Sequence, residues 1–292
     1  MDAVIHPQAP DRRWINRAVK AEINLCFTCG SCAVECPVNR ATNRLDPRRL
    51  VWMANLGLMD ELIRLPDIWL CLGCRKCSHV CPMTVKPAAL IAFLRWEALR
   101  EGLFSPELAE ERRRLQDRLH RQRAAVVREL LAETAQRRTP QELSQPRIPG
   151  ASWKPFAVFH DHETGISSCF ACGECSNACP VCVDRSVLDP LVLVRGTLLG
   201  YARELSVSPG PWVCLQCRSC SSACSHRVQG HLVALALREA AQKTGMVDDA
   251  FLQAWKDKER DLWHGYAEAV VQRLEPGLNL TTNTQQTVTT RP

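Results

Sequence analysis

No stretch of this 292-residue chain approaches the eighteen or so uninterrupted apolar residues that a membrane helix needs. The best candidate, Val187 to Leu199, is interrupted by Asp189, Pro190 and Arg195. A secretory leader is not visible either, since MDAVIHPQAPDRRW carries an acid at Asp2 and turns polar without an apolar run. A Gly-rich dinucleotide fingerprint is also missing. Together these absences lead us to expect a soluble, cytoplasmic chain, one that reaches a membrane only through a partner. In that compartment thiols stay reduced and free to bind metal.

What the chain has in excess is cysteine. It contains 17, in a sequence of ordinary apolar content (46%) and of a length that suits two domains. Sixteen of them fall into four runs of the form C-x-x-C-x-x-C-x-x-x-C. These are Cys26, Cys29, Cys32, Cys36; then Cys71, Cys74, Cys77, Cys81; then Cys169, Cys172, Cys175, Cys179; and finally Cys214, Cys217, Cys220, Cys224. Pro37, Pro82 and Pro180 follow the first three runs, and Ser225 takes that place after the fourth.

This spacing suits a [4Fe–4S] cubane. Three thiolates at x₂ intervals wrap three corners from one loop, and the fourth, leaving the loop before Pro, ligates the neighbouring cluster in two-cluster ferredoxins. The expected sets are Cys26, Cys29, Cys32 with Cys81, and Cys71, Cys74, Cys77 with Cys36. In the second half they are Cys169, Cys172, Cys175 with Cys224, and Cys214, Cys217, Cys220 with Cys179. Structural zinc favours paired x₂ spacings and often His, and disulfides would leave an odd Cys in a reducing compartment.

The charge balance fits this chemistry. A net +6 invites a nucleic-acid reading. An oxidised cubane with four thiolates carries about −2, so four of them add about −8 and bring the loaded protein to about −2. The basic excess, with Arg supplying 30 of 37 basic residues, then balances the clusters.

The halves repeat with a constant shift of 143 and no gaps. Besides the cysteines, Phe27 falls on Phe170, Gly30 on Gly173, Leu45-Asp46-Pro47 on Leu188-Asp189-Pro190, Trp69 on Trp212, and Arg75 on Arg218. Within a unit, Asp46 is an N-cap with Pro47 in the first turn and Gly57 as a stop, and Asp189, Pro190 and Gly200 repeat these signals. Pro87 opens a further helix to Arg100, closed by Gly102. Another follows Ser105-Pro106 with an apolar stripe of Leu108, Leu115, Leu119, Val126 and Leu130, and its counterpart from Asp248 carries Phe251, Leu262, Val270 and Leu274. Arg112 to Arg114 read as a solvated face.

The expected fold class is all-α: two tandem alpha-helical ferredoxin modules with flanking helices. The first module with its trailing helix spans 1–136, a linker 137–154, the second module 155–275, and a Thr- and Asn-rich end, expected to be disordered, 276–292.

The paired runs, 34 residues apart and joined by helix, resemble the C subunit of heterodisulfide reductase. The same helical unit occurs in the iron–sulfur subunits of succinate dehydrogenase-like enzymes and in the C subunit of glycerol-3-phosphate dehydrogenase. The resemblance covers roughly Cys26 to Gly102 and again Cys169 to Gly245. It implies a non-catalytic electron-transfer subunit in a hetero-oligomeric, heterodisulfide reductase-like complex. Such a subunit relays single electrons through four [4Fe–4S] clusters, between a flavin or iron–sulfur subunit and a catalytic B-type or quinone-linked partner. The alternative is the electron-transfer subunit of a succinate/fumarate or glycerol-3-phosphate flavin dehydrogenase. An iron–sulfur scaffold with a nucleic-acid role rests on the Arg excess alone, and no nucleic-acid partner is expected. The chain departs from the relatives in having no Cys-Cys pair of the kind found in their catalytic B-type partners, no plant-type C-x₄-C-x₂-C site, and two modules in one polypeptide.

Outside the ligand sets, Cys182 reads as a thiol beside a cluster, with an extra ligand or redox thiol as the sharper alternative. Trp69 and Trp212 either cover a cluster or pack in the core. His79 and His226 read as surface or supporting groups. Four clusters could form one wire or two.

Overall fold

The computed structural model describes residues 12–137, 161–183 and 185–279. The expected linker, from residue 138 on, and the expected tail, from residue 280 on, lie outside the described residues. The described residues are all helix and turn, with no strand.

The first module runs α1 (Arg12–Val19), α2 (Ser31–Glu35), α3 (Pro37–Thr42), α4 (Pro47–Asn55), α5 (Met59–Arg64), a 3₁₀ turn (Pro66–Leu70), α6 (Lys76–His79), α7 (Pro87–Arg100) and α8 (Pro106–Gln136). The second runs α9 (Asp161–Thr164), α10 (Glu174–Asn177), α11 (Pro190–Leu198), α12 (Ala202–Ser206), α13 (Pro209–Val213), α14 (Ser219–Ala223), α15 (Gly230–Lys243) and α16 (Asp249–Asn279).

Local chemistry sets the boundaries. Asp46 accepts from the Arg48 and Arg49 amides and Asp189 from the Leu191 amide, each ahead of a proline in the first turn. Such a cap is worth about 1 kcal/mol. Ser105 caps α8 through Leu108 N, and Asp248 caps α16 through Phe251 N at 2.7 Å. The last helix continues to Asn279, beyond the end expected at Pro276.

The two modules share one apolar core, and their long helices join them reciprocally. Helix α8 packs on α13, just ahead of the fourth cysteine run, while α16 packs on the 3₁₀ turn ahead of the second run and on α3. The two long helices also pack on each other. Each module therefore holds the cysteine loop of the other.

The buried face of α8 departs from the expected stripe. Leu119 and Leu130 are buried, but Leu108, Leu115 and Val126 are only half-buried. The remaining buried positions include the polar Gln116, His120, Arg123 and Thr134. Arg123 is 1% exposed, and its Nε donates to Glu259 of α16 at 3.0 Å. Nη1 donates to Val213 O at 2.9 Å, and Nη2 also meets Glu259. The guanidinium stacks over Trp255 and Trp263 at 5.7 and 5.2 Å. Under the shift of 143, Arg123 corresponds to Tyr266 and Val213 to Leu70. Tyr266 Oη donates to Leu70 O at 3.5 Å, so the two latches mirror each other.

Only part of the Arg112–Arg114 run is a solvated face. Arg113 and Arg114 are exposed and pair with Glu110, but Arg112 is half-buried and reaches Gln116 Oε1 at 2.9 Å and Cys71 O at 3.4 Å.

His120 is fully buried and its imidazole is pushed down to about 3, first by burial and then by the Arg123 charge. The folded protein therefore holds a neutral ring, whereas the unfolded chain takes up a proton below about 6.5. Its contribution to stability is complete above that value and is lost as pH falls toward 3, by up to about 1.4 kcal/mol per pH unit. Unfolding free energies from denaturant titrations at pH 7.5 and 5.5 should differ by about 1 kcal/mol more in the parent than in His120→Gln. Equal pH dependence in the two proteins would refute this.

Candidate metal centres

Each cysteine loop has the same backbone. The residues on either side of the second cysteine are left-handed in all four: Thr28 and Gly30, Gly73 and Arg75, Ala171 and Gly173, Gln216 and Arg218. Five of these eight carry a side chain, at about 1 kcal/mol of strain each. Gly30 and Gly173, at φ +85° and +86°, lie furthest from what other residues tolerate. Alternating handedness turns successive amides toward one side and forms an anion-binding concavity. Amides do aim at sulfur: Gly73 N meets Cys71 Sγ and Val85 N meets Cys81 Sγ, each at 3.4 Å. The Val38 and Asn39 amides face Cys36, and the Val181 and Cys182 amides face Cys179. Half-buried Cys182 thus offers its backbone where Asn39 does.

The loops bring the cysteines together across each module. A cavity of about 360 Å³ is lined by Cys26, Cys29, Cys32 and Cys81. A second, of about 320 Å³, is lined by Cys36, Cys71, Cys74 and Cys77. A third, of about 360 Å³, is lined by Cys179, Cys214, Cys217 and Cys220. The remaining set is joined by contacts: Cys169 neighbours Cys175, and Phe170, next to Cys169, stacks on His226, two residues past Cys224, at 5.6 Å.

Among the described residues no three His, Cys, Asp or Glu groups close to single-ion spacing. Four soft thiols drawn from two runs of this spacing, with amides directed at the sulfurs, suit an iron–sulfur cluster better than zinc.

Burial divides the sites. Cys36, Cys71, Cys74, Cys77, Cys217 and Cys220 are buried, whereas Cys29 and Cys172 are exposed beside Phe27 and Phe170. Burial pushes Cys36 and Cys220 up to about 12 and raises Cys74, Cys77 and Cys179 further. The Ser31 hydroxyl instead lowers Cys29. Burial thus favours the protonated form of Cys36, Cys74, Cys77, Cys179 and Cys220, and binding a metal as thiolates releases those protons.

Several supporting residues escaped the sequence reading. Arg95 of α7 donates to Ile68 O at 2.8 Å and Cys71 O at 2.5 Å. Arg238, its counterpart on α15, donates to Pro211 O at 2.5 Å, Trp212 O at 3.0 Å and Cys214 O at 2.6 Å. Burial lowers both guanidinium groups, and the neighbouring Cys71 or Cys214 charge opposes that. Their identity under the 143 shift was the available signal. His231 lines the third cavity and its Nδ1 lies 2.7 Å from Ser221 Oγ, with burial first and Arg218 next pushing the ring down to about 4. Its counterpart is Ala88, so the repeat gave no hint of it.

Trp69 and Trp212 are core residues. Trp69 packs on Phe104 at 5.0 Å and Trp212 on Phe251 at 4.7 Å, while Leu72 and Leu215 line the cavities instead. His79 is half-buried at the module interface, and His226 is exposed.

Comparison with known proteins agrees with this chemistry. Two family models, each described as a 4Fe-4S dicluster domain, match residues 22–85 and 164–225. The chain is 37% identical over 84 residues to the C subunit of the H(2):CoB-CoM heterodisulfide,ferredoxin reductase of Methanothermobacter marburgensis, covering 29% of this chain and 45% of the relative. It is 36% identical over 70 residues to a protein of Archaeoglobus profundus described as like the C subunit of heterodisulfide reductase, covering 24% and 37%. With the second iron-sulfur C subunit of the CoB--CoM heterodisulfide reductase of Methanocaldococcus jannaschii the identity is 31% over 111 residues, covering 34% and 59%. The chain spans about half the length of these curated relatives. No solved structure matches it. No helix among the described residues is long and apolar enough to cross a membrane. With sixteen motif cysteines, enough for up to four clusters, the chain carries two 4Fe-4S dicluster domains and is similar, over part of its length, to the C subunit of heterodisulfide reductase.

Proposed function

We propose that the chain is a non-catalytic electron-transfer subunit of a heterodisulfide reductase-like complex, holding four [4Fe–4S] clusters. The ligand sets are Cys26, Cys29, Cys32, Cys81; Cys71, Cys74, Cys77, Cys36; Cys169, Cys172, Cys175, Cys224; and Cys214, Cys217, Cys220, Cys179. The observation that carries this reading is the composition of the three cavities, each lined by three cysteines of one run and the fourth cysteine of its partner run. The names of the relatives support the type of complex, and the partners proposed with it are subunits of the A or B kind.

When bound, each cluster accepts and gives up one electron. The protein's part is position and environment. Crossed ligation staples the two ends of a module and keeps its two sites adjacent. The loop amides and the buried Arg95 and Arg238 offset thiolate charge, and the shared core excludes water from the inner sites.

Anaerobic iron and sulfide analysis should return about sixteen of each per chain, with coupled cubane signals in EPR after dithionite reduction. A pull-down from source extract should then capture subunits of the A or B kind. Zinc, or iron far below sixteen without signals, would sink the relay. A flavoprotein dehydrogenase alone among the captured proteins would move the chain to a different complex.

A further inference from the structure

The two inner cysteine sets meet across the module interface. Ser219, between Cys217 and Cys220, donates its hydroxyl to Cys74 O in the other module at 2.9 Å, and the Cys217 thiol lies 3.5 Å from the same Ser219 Oγ. A path of two contacts thus links a cysteine of one inner set to the backbone of a cysteine of the other. Cys74 and Cys217 are equivalent under the 143 shift, so the contact joins matching positions of the two repeats. Cys74 is raised first by burial, with the charges of Cys71 and Cys217 adding to it. Ser219 and Cys74 are both buried. In the outer sets, Cys29 and Cys172 are exposed.

From this juxtaposition we infer that the module interface is itself an electron-transfer junction, with Cys74, Ser219 and Cys217 at its centre. Resting on the four-cluster reading above, this makes one continuous relay in place of two separate ones. Its order is the Cys29 site, the Cys74 site, the Cys217 site and the Cys172 site. One electron passes at each step, so the site that gives it up is oxidised as its neighbour is reduced. Tunnelling falls steeply with distance, which favours a route through this two-contact junction. The reciprocal clasp of α8 and α16 then has a redox purpose, since it holds the two inner loops face to face. Ser219 is a positioning residue, and its counterpart Lys76 turns instead to Glu35 at 2.8 Å.

A spectral double-mutant cycle tests this on the full chain: the unaltered protein, Cys77→Ala, Cys220→Ala and the double variant, each loaded anaerobically and reduced with dithionite. If the modules do not communicate, the EPR spectra of the unaltered and double proteins sum to those of the two single variants. A junction leaves a residual, with broadening in the unaltered chain that no single-module term reproduces. A zero residual overturns the inference and leaves the four-cluster reading intact. Should the cysteine variants lose more than the about four irons of one cluster, Ser219→Asp retains every ligand. Its carboxylate should lower two midpoint potentials, one in each module, whereas one lowered potential overturns the junction. Iron far short of sixteen in the unaltered protein would remove the relay reading itself, and the junction with it.

Discussion

Arg123→Ala is expected to lower stability by about 3 kcal/mol, a thermal midpoint drop of roughly 6–12 °C for a chain of this size. The substitution removes the contacts to Glu259 and Val213 O and the packing on Trp255 and Trp263. What remains is a carboxylate at a module interface and a buried carbonyl with no donor, and such orphans cost more than the intact pair contributes. Glu259 is 28% exposed on its side chain, which lets some water in and keeps the loss at the lower end of the range for buried pairs. The same physics sets the control. Arg123→Met with Glu259→Met removes both charges at once and should recover most of the loss, because an apolar pair fills the site without desolvating ions. Anaerobic thermal melts at matched cluster loading, followed by tryptophan fluorescence and cluster absorbance, would measure both. A drop below about 2 °C in Arg123→Ala would mean that the modules are held by apolar burial alone.

Arg238→Met should act on two observables. The three carbonyls of Pro211, Trp212 and Cys214 lose their donor, for a destabilisation of about 2–3 kcal/mol. The site held by Cys214 also loses an adjacent positive charge. Reduction adds negative charge, so removing a cation makes the electron harder to add and lowers the midpoint potential. A differential interaction of about 1–2 kcal/mol corresponds to a fall of roughly 45–85 mV for one electron. Arg95→Met should do the same at the Cys71 site, softened by Arg112, which also reaches Cys71 O. EPR-monitored titration of both variants checks the sign and the site. A potential that stays put while stability falls would assign these arginines to structure only.

Much of the site was legible because its signals are local. A cubane needs thiols at fixed spacing, so sixteen cysteines in four identical runs declare themselves without tertiary information. The ungapped shift of 143 declared the duplication, and Asp46-Pro47 and Asp189-Pro190 marked helix starts that the structure reproduces. Each of these depends on residues within a few positions of one another, or on the identity of two segments.

What failed was any inference that needed a distant partner. Hydrophobic periodicity treats Gln116, His120 and Arg123 as surface, yet all three are buried, because α16 brings Glu259 and two tryptophans to that face from 132 to 140 residues away in sequence. The left-handed backbone at Thr28, Arg75, Ala171, Gln216 and Arg218 runs against residue preference and is held by the loop as a whole. Arg95 and Arg238 have ordinary helix positions; only the folded chain aims them at the carbonyls of the cysteine loops.

The sequence by itself determined the four cysteine runs, the duplication and the helical class, since cysteine spacing, capping and repetition are written along the chain. The tertiary structure alone decided that the modules clasp each other, that Cys74 and Cys217 meet through Ser219, and which sites are buried. Those outcomes depend on which surfaces come together, and burial of a polar or charged group is settled by the partner it finds there.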